Sequence, residues 1–193
     1  MYIPEHFEIT DRSEVLGFIK ANAFGQLISS IGGRFFSSHI PFFLSEDEKS
    51  IICHLAKRNP QWEEIEDQEV LVTLQGPHDY ISPSWYRSPG VPTWNYQTVH
   101  IYGKAKLITE ASRIKNIISE LTEIYESSFD TPWSPEYKES MLSAIIGIEI
   151  KITEIQCKYK LSQNRPESDR LEVIEKLQER GSIQLSKAMR NEL

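Results

Sequence analysis

Lys57 and Arg58 stand side by side where a strand-like run, Ile51-Ile52-Cys53-His54-Leu55-Ala56, gives way to Asn59-Pro60-Gln61-Trp62. Proline is favoured in the first turn of a helix, so Asn59-Pro60 predicts a helix start. A helix start offers free N–H groups and the positive end of a dipole, and arginine grips phosphate oxygens in pairs. Lys57, Arg58 and Asn59 therefore form a candidate phosphate seat. The plainer reading is a solvated basic pair of the kind any surface carries.

A second stretch is built for a flat partner. Residues 76–100 read GPHDYISPSWYRSPGVPTWNYQTVH and hold two of the four Trp, three of the eight Tyr and four of the ten Pro. Proline stiffens the chain, and aromatic rings with polar tips offer apolar faces plus donors. Tyr80, Ser82, Trp85, Trp94, Asn95 and Tyr96 are the candidate lining of a wall for a planar ligand. The alternative is a rigid loop that packs sheet edges or a subunit contact. Two shorter segments join them. Ser38-His39-Ile40-Pro41 puts a proline on a strand, which belongs at an edge or bulge, so His39 is expected where the sheet opens. Lys160-Leu161-Ser162-Gln163-Asn164-Arg165 clusters hydrogen-bonding side chains after the last strand, as a cap on a ligand or as a solvated linker.

Other chemistries lack their spacing. The histidines show no HxH or HExxH pattern, and CxxCH, GxSxG, GxxxxGK[ST] and GxGxxG are absent. A Rossmann or P-loop nucleotide site is disfavoured. A haem iron could use a single histidine, which keeps haem as a third reading. Cys53 and Cys157 are far apart in strand-like runs and are expected to be buried and reduced.

The elements that must position these residues follow from periodicity. Asp11 and Glu14 predict a capped helix to about Asn22, with Val15, Leu16 and Ile19 inward. Residues 25–30, 35–44, 50–55, 70–75 and 98–108 read as strands, and Gly32-Gly33 as a turn. Trp62 and Ile65 are expected to face inward after Pro60. Residues 111–127 have helical apolar spacing, 135–142 a second short helix, and 145–161 a long half-buried strand. After Arg165-Pro166, residues 169–179 put Leu171, Ile174 and Leu177 on one face, and Gly181 stops that helix before another at 183–189. Many short strands with few helices between them predict an α+β, mainly β protein: an antiparallel, Greek-key-like barrel with peripheral helices. The expected division is 1–165 for the barrel and 166–193 for a helical extension.

Composition narrows the partners. The 193 residues carry a formal net charge of −7, with 39% hydrophobic and 25% charged residues, as a soluble globular domain does. A protein that grips nucleic acid usually shows a basic face, and the last helices mix Glu172, Glu175 and Glu179 with Arg170, Lys176 and Arg180. Direct DNA binding is therefore doubtful. No secretory signal or membrane span is expected, and the cytoplasm is the expected location.

At these residues the chain resembles the PaiB family, FMN-binding proteins described as negative transcriptional regulators. The likeness runs from Met1-Tyr2-Ile3-Pro4 through His39-Ile40-Pro41-Phe42 and is densest over His54–Trp62, GPHDYISPSWY and VPTWNY. It resumes at Lys160–Asn164 and Arg170–Leu177. The resemblance implies an FMN-binding split barrel like the pyridoxamine-phosphate oxidase and flavin reductase group, a homodimer with FMN between subunits. It implies a phosphate on Lys57, Arg58 and Asn59, rings against the aromatic wall, polar contacts from His39 and His54, and a reach from Lys160, Ser162, Gln163 and Asn164. The function expected is a flavin-holding transcriptional regulator. The alternative is an FMN-dependent oxidoreductase that trades electrons with a small molecule and has no direct DNA role. No catalytic acid or base and no metal site is expected.

Overall fold

A computed structural model describes residues 1–193. Helix α1 (Arg12–Ala21) starts as its capping pattern predicts, with Asp11 Oδ1 accepting from Glu14 N at 2.8 Å. Strands β1 (Phe24–Ile31) and β2 (Arg34–Pro41) form a hairpin. Its turn residues Gly32 and Gly33 both have positive φ, 55° and 76°, the geometry that matches strand twist and that glycine adopts without strain. Strands β3 (Phe43–Leu44) and β4 (Ser50–Ala56) follow. β5 spans Glu69–Ile81 and β6 spans Thr93–Ile108. Helices α2 (Ala111–Glu126) and α3 (Glu139–Leu142) precede β7 (Ile145–Lys160), and α4 (Glu167–Glu179) and α5 (Ile183–Asn191) end the chain.

The seven strands make one sheet in the order β2-β1-β5-β6-β7-β4-β3. β1 pairs antiparallel with β2 and β5, and β4 with β3 and β7. With its five helices this is the α+β architecture expected. The chain resolves into two compact units. One comprises residues 1–18, 75–99 and 156–193; the other comprises 19–74 and 100–155.

In the second unit, Ile51, Cys53 and Leu55 of β4 are buried while Ile52 and His54 point to the opposite face. His54 lies opposite Gly147 of β7. A side chain at Gly147 would come within 2.8 Å of Ile117 and 3.0 Å of Ile108, so α2 packs closely there. Phe43, Ile108, Ile114, Ile117 and Leu121 form that core. In the first unit, Val173, Ile174 and Leu177 of α4 are buried with Leu185 and Met189 of α5.

Five local expectations are corrected. Pro60 opens only a five-residue 3-10 turn, Pro60–Glu64. Its inward residues are Gln61 and Ile65, with Trp62 half-buried, because the Gln61 amide is drawn onto Leu27 O at 2.9 Å and Ser29 Oγ at 3.0 Å. β5 continues to Ile81 and β6 begins at Thr93, so most of the aromatic run is strand and only residues 82–92 are loop. Residues 135–138 are not helical; α3 is a single turn. Val173, not Leu171, completes the buried face of α4, and Leu171 is 39% exposed.

Candidate functional site

The candidate residues fall into two regions, one in each compact unit. The first lies at the end of β4. Lys57 and Arg58 are both exposed, and neither side chain makes an ion pair or hydrogen bond. The backbone around them is tightly held. Lys57 N donates to Ala144 O at 2.8 Å, and Trp62 Nε1 donates to Lys57 O at 2.9 Å. Asn59 is occupied: its Nδ2 donates to Ser38 Oγ at 2.8 Å and its Oδ1 accepts from Gln61 N at 3.0 Å. A five-residue 3-10 turn lacks the aligned peptide dipoles of an α-helix, so attraction for an anion rests on the two cations.

His39 is exposed on β2, an outer strand of the sheet, as its neighbour Pro41 led us to expect. His54 is half-buried, and its Nδ1 is shielded from solvent without a hydrogen-bond partner. Burial pushes its pKa down from the ordinary value. His54 opens onto a cavity of about 340 Å³ walled by Pro41, Ile118, Leu121, Thr122, Tyr125, Glu126 and Trp133. That volume lies in the range of small-molecule sites. The sequence carried no signal for this cavity: its walls come from β2, β4, α2 and the loop after α2.

The second region gathers the ends of β5, β6 and β7 with the loop at 82–92. Asn95 is fully buried; its Nδ2 donates to Ser162 Oγ at 2.9 Å and to Met189 Sδ at 3.3 Å. Ser162 sits at a φ of 67°, in the left-handed region that costs a side-chain-bearing residue energy. Lys160 Nζ donates to Trp94 O at 2.6 Å and to Thr93 Oγ1. Burial, and then Lys158 nearby, lowers the Lys160 pKa. Gln163 is spent on its own turn, accepting from Leu161 N at 2.7 Å and donating to Tyr159 O at 2.7 Å. Tyr96 lies under the Lys158 ammonium, 5.4 Å from it. Ser82 caps the short turn Pro83–Trp85 by accepting from Ser84 N, and Trp85 has the Arg180 guanidinium 5.7 Å above it.

Trp94 is 53% exposed, with the Tyr80 ring edge-on at 6.2 Å and His78 tilted at 6.4 Å. Asn164 is exposed and makes no side-chain hydrogen bond. The cavity here, between Tyr86, Val91, Thr93, Asn95, Lys160, Ser162, Asn164, Arg165 and Phe7, measures only about 130 Å³. It lies below the range of sites for drug-sized molecules. Asp169, which the sequence reading passed over, accepts from Arg87 N, Ser88 N and Ser88 Oγ and so ties α4 to the 82–92 loop. The Ser88 hydroxyl, followed by the backbone N–H groups, holds its carboxyl below the usual range.

Comparison with known proteins agrees with this frame. Residues 1–154 match the family model described as "Putative FMN-binding domain". "Protease synthase and sporulation protein PAI 2" of Bacillus subtilis is 44% identical over 186 residues, covering 92% of this chain and 89% of the relative. "Uncharacterized protein AN0679" of Emericella nidulans is 32% identical over 206 residues, covering 81% of this chain and 82% of its own. Among solved structures, the flavocytochrome Anf3 from Azotobacter vinelandii superposes with a TM-score of 0.69 at 15% identity, over 88% of this chain and 78% of that one. The FAD and heme binding protein from Mycobacterium smegmatis gives 0.67 at 11% identity, over 85% and 78%. At such identities these two speak to the fold, which is the split barrel of flavoproteins. FMN is the cofactor of the matched family, as the sequence led us to expect. No helix is long and apolar enough to cross a membrane. The matched FMN-binding model and the Bacillus relative agree on one conclusion: the chain belongs to the PaiB family of FMN-binding proteins.

Proposed function

We propose that this protein holds FMN at the end of β4 and works as a flavin-dependent redox protein of the PaiB type. The observation that carries the reading is the Lys57–Arg58 pair, exposed and without carboxylate partners in a chain of net charge −7. FMN, when bound, supplies one- and two-electron redox chemistry. Lys57 and Arg58 hold the phosphate dianion, Arg58 through paired N–H groups. His54 lies three residues upstream, about 10 Å away at the rise of a strand. Its cavity of about 340 Å³ suits a fused ring system better than the 130 Å³ cavity beside Asn95. Tyr125 and Trp133 supply flat walls there, and the unpartnered Nδ1 of His54 has a hydrogen bond to give to a polar ring edge. With its pKa pushed down, His54 is neutral at pH 7 and does not repel or attract by charge.

The partner in exchange is a small-molecule electron donor or acceptor, and the working form is a homodimer. Phe35, 87% exposed on the outer strand β2, supports a second copy covering that face. Two buried, unpaired cysteines suit a reducing compartment, which favours the cytoplasm. The name of the Bacillus relative favours a second reading, negative regulation of gene expression with the flavin as sensor. The acidic chain argues that such control runs through a partner and not through direct DNA contact.

FMN titration, followed by quenching of its fluorescence, tests the first reading. Arg58→Ala is expected to weaken binding by about tenfold or more. Equal affinity in the wild type and Arg58→Ala removes the phosphate seat, and a wild type that stays colourless after reconstitution removes the reading. Spectral bleaching on adding NADH or NADPH supports the redox role. A promoter shift at low salt that fades steeply with added salt supports direct regulation instead.

A further inference from the structure

The cavity between the ends of β6 and β7 has no part in the flavin seat proposed above, and its chemistry is specific. Lys158, Lys160 and Arg165 lie within eight residues of each other, and none of the three has an ion-pair partner. Lys158 is 7% exposed; its Nζ is taken up by Tyr2 O at 3.0 Å and by the faces of Tyr2 and Tyr96. Lys160 spends two donors on Thr93 and Trp94 and keeps a third. Arg165 stacks on Tyr86 at 4.3 Å and gives Nη1 to Pro89 O at 2.9 Å; its other N–H groups make no bond. The nearby carboxylate, Asp169, already accepts three bonds from Arg87 and Ser88. Asn164, also on the cavity wall, has an amide free of internal bonds.

Lys160 is a partly buried cation with no counter-charge, which is costly, and the cost falls when an anion arrives; Arg165 already feels the Asp169 carboxylate. The cavity of about 130 Å³ has room for a few waters or one small polyatomic ion, and its walls offer an ammonium, a guanidinium fork, an amide and hydroxyls. The residues after Ile155 lie beyond residue 154, where the FMN-binding family match ends. We propose that this cavity is a separate binding site for a small oxyanion of the phosphate type, held by Lys160, Arg165 and Asn164. The oxyanion arrives free and not as the phosphate ester of FMN, and the experiment separates the two.

Inorganic phosphate is titrated calorimetrically into the full chain, without and with saturating FMN, at constant ionic strength. The wild type is expected to bind phosphate in the millimolar range or tighter in both states. With FMN filling the Lys57–Arg58 seat, Lys160→Gln and Arg165→Gln are each expected to weaken phosphate by about tenfold or more. Should Lys160→Gln fail to fold, Asn164→Ala decides, since that exposed side chain supports no internal bond; a several-fold loss is expected. No phosphate binding at millimolar concentration overturns the proposal, as does binding that all three cavity variants leave intact. Loss of phosphate binding on FMN loading, with FMN weakened by Lys160→Gln and not by Arg58→Gln, also overturns it. That last outcome moves the FMN phosphate into this cavity and removes the Lys57–Arg58 seat. FMN lost in Arg58→Gln, with phosphate binding retained, supports both.

Discussion

At the end of β4 two cations face solvent with all their donors spare, whereas at the ends of β6 and β7 most of the polar side chains are bonded inside the chain. The Lys57 and Arg58 side chains make no hydrogen bond or ion pair. Asn95, Ser162, Gln163 and Asp169 all have partners, several of them far away in sequence. The first arrangement costs little to keep and leaves charge on offer. The second uses polar groups as fasteners, because an unsatisfied buried amide or carboxylate is expensive. Residue types alone do not distinguish a ligand contact from a fastener. The number of spare donors and acceptors does.

Substitutions can break or sharpen this contrast, the largest effect coming first. Asn95→Leu removes an amide with 0% exposure and strips Ser162 Oγ of its partner. We expect a loss of about 2 to 3 kcal/mol in urea unfolding. Arg58→Ala, in the other region, should change stability by no more than about 0.5 kcal/mol. Equal costs at both positions would erase the distinction between fastener and free donor.

A smaller effect is expected with pH. Burial pushes His54 below its ordinary value of 6.5, and burial acts on His100 in the same direction. The unfolded chain therefore takes up protons near pH 6.5 that the folded chain refuses until lower pH. Stability should be full above that pH and fall as the pH drops through it. His54→Asn should make the fall shallower, measured as the urea midpoint across the acid range. An unchanged slope would mean that the imidazole is solvated, and the cavity beside it wet and open.

The smallest effect is an expected silence in both regions. Cys53 is fully buried and its thiol is pushed far up by burial; burial pushes Cys157 up to about 12. Neither should react with a thiol reagent at pH 8 until the protein unfolds, when both should. Fast labelling of Cys157 in the native protein would show that the β7 end opens readily, against its description as a fastened region.

Much of the fold was legible in the residues. The Asp11–Glu14 cap, the Gly32-Gly33 turn, the helical spacing of 111–127 and the alternation of β7 are local patterns, and each appears in the structure to within a residue. The misread places share a cause. Gln61 turns inward because Leu27 and Ser29, 34 and 32 residues away, offer it acceptors. Trp62 gives way for that reason, and the predicted helix shrinks to a 3-10 turn. The prolines of the aromatic run punctuate the sequence strongly, yet β5 runs on to Ile81 and β6 begins at Thr93.

The amino-acid sequence by itself determined the periods of the elements, the position of the hairpin turn, the basic pair after β4 and the motifs that mark the family. Only the tertiary structure decided which polar side chains are spent, which stay free, and how much space lies beside each. Period and capping are encoded within a few residues. A bond such as Asn95–Ser162, 67 residues apart, depends on the strand ends meeting, and so does the volume of the cavity that they enclose.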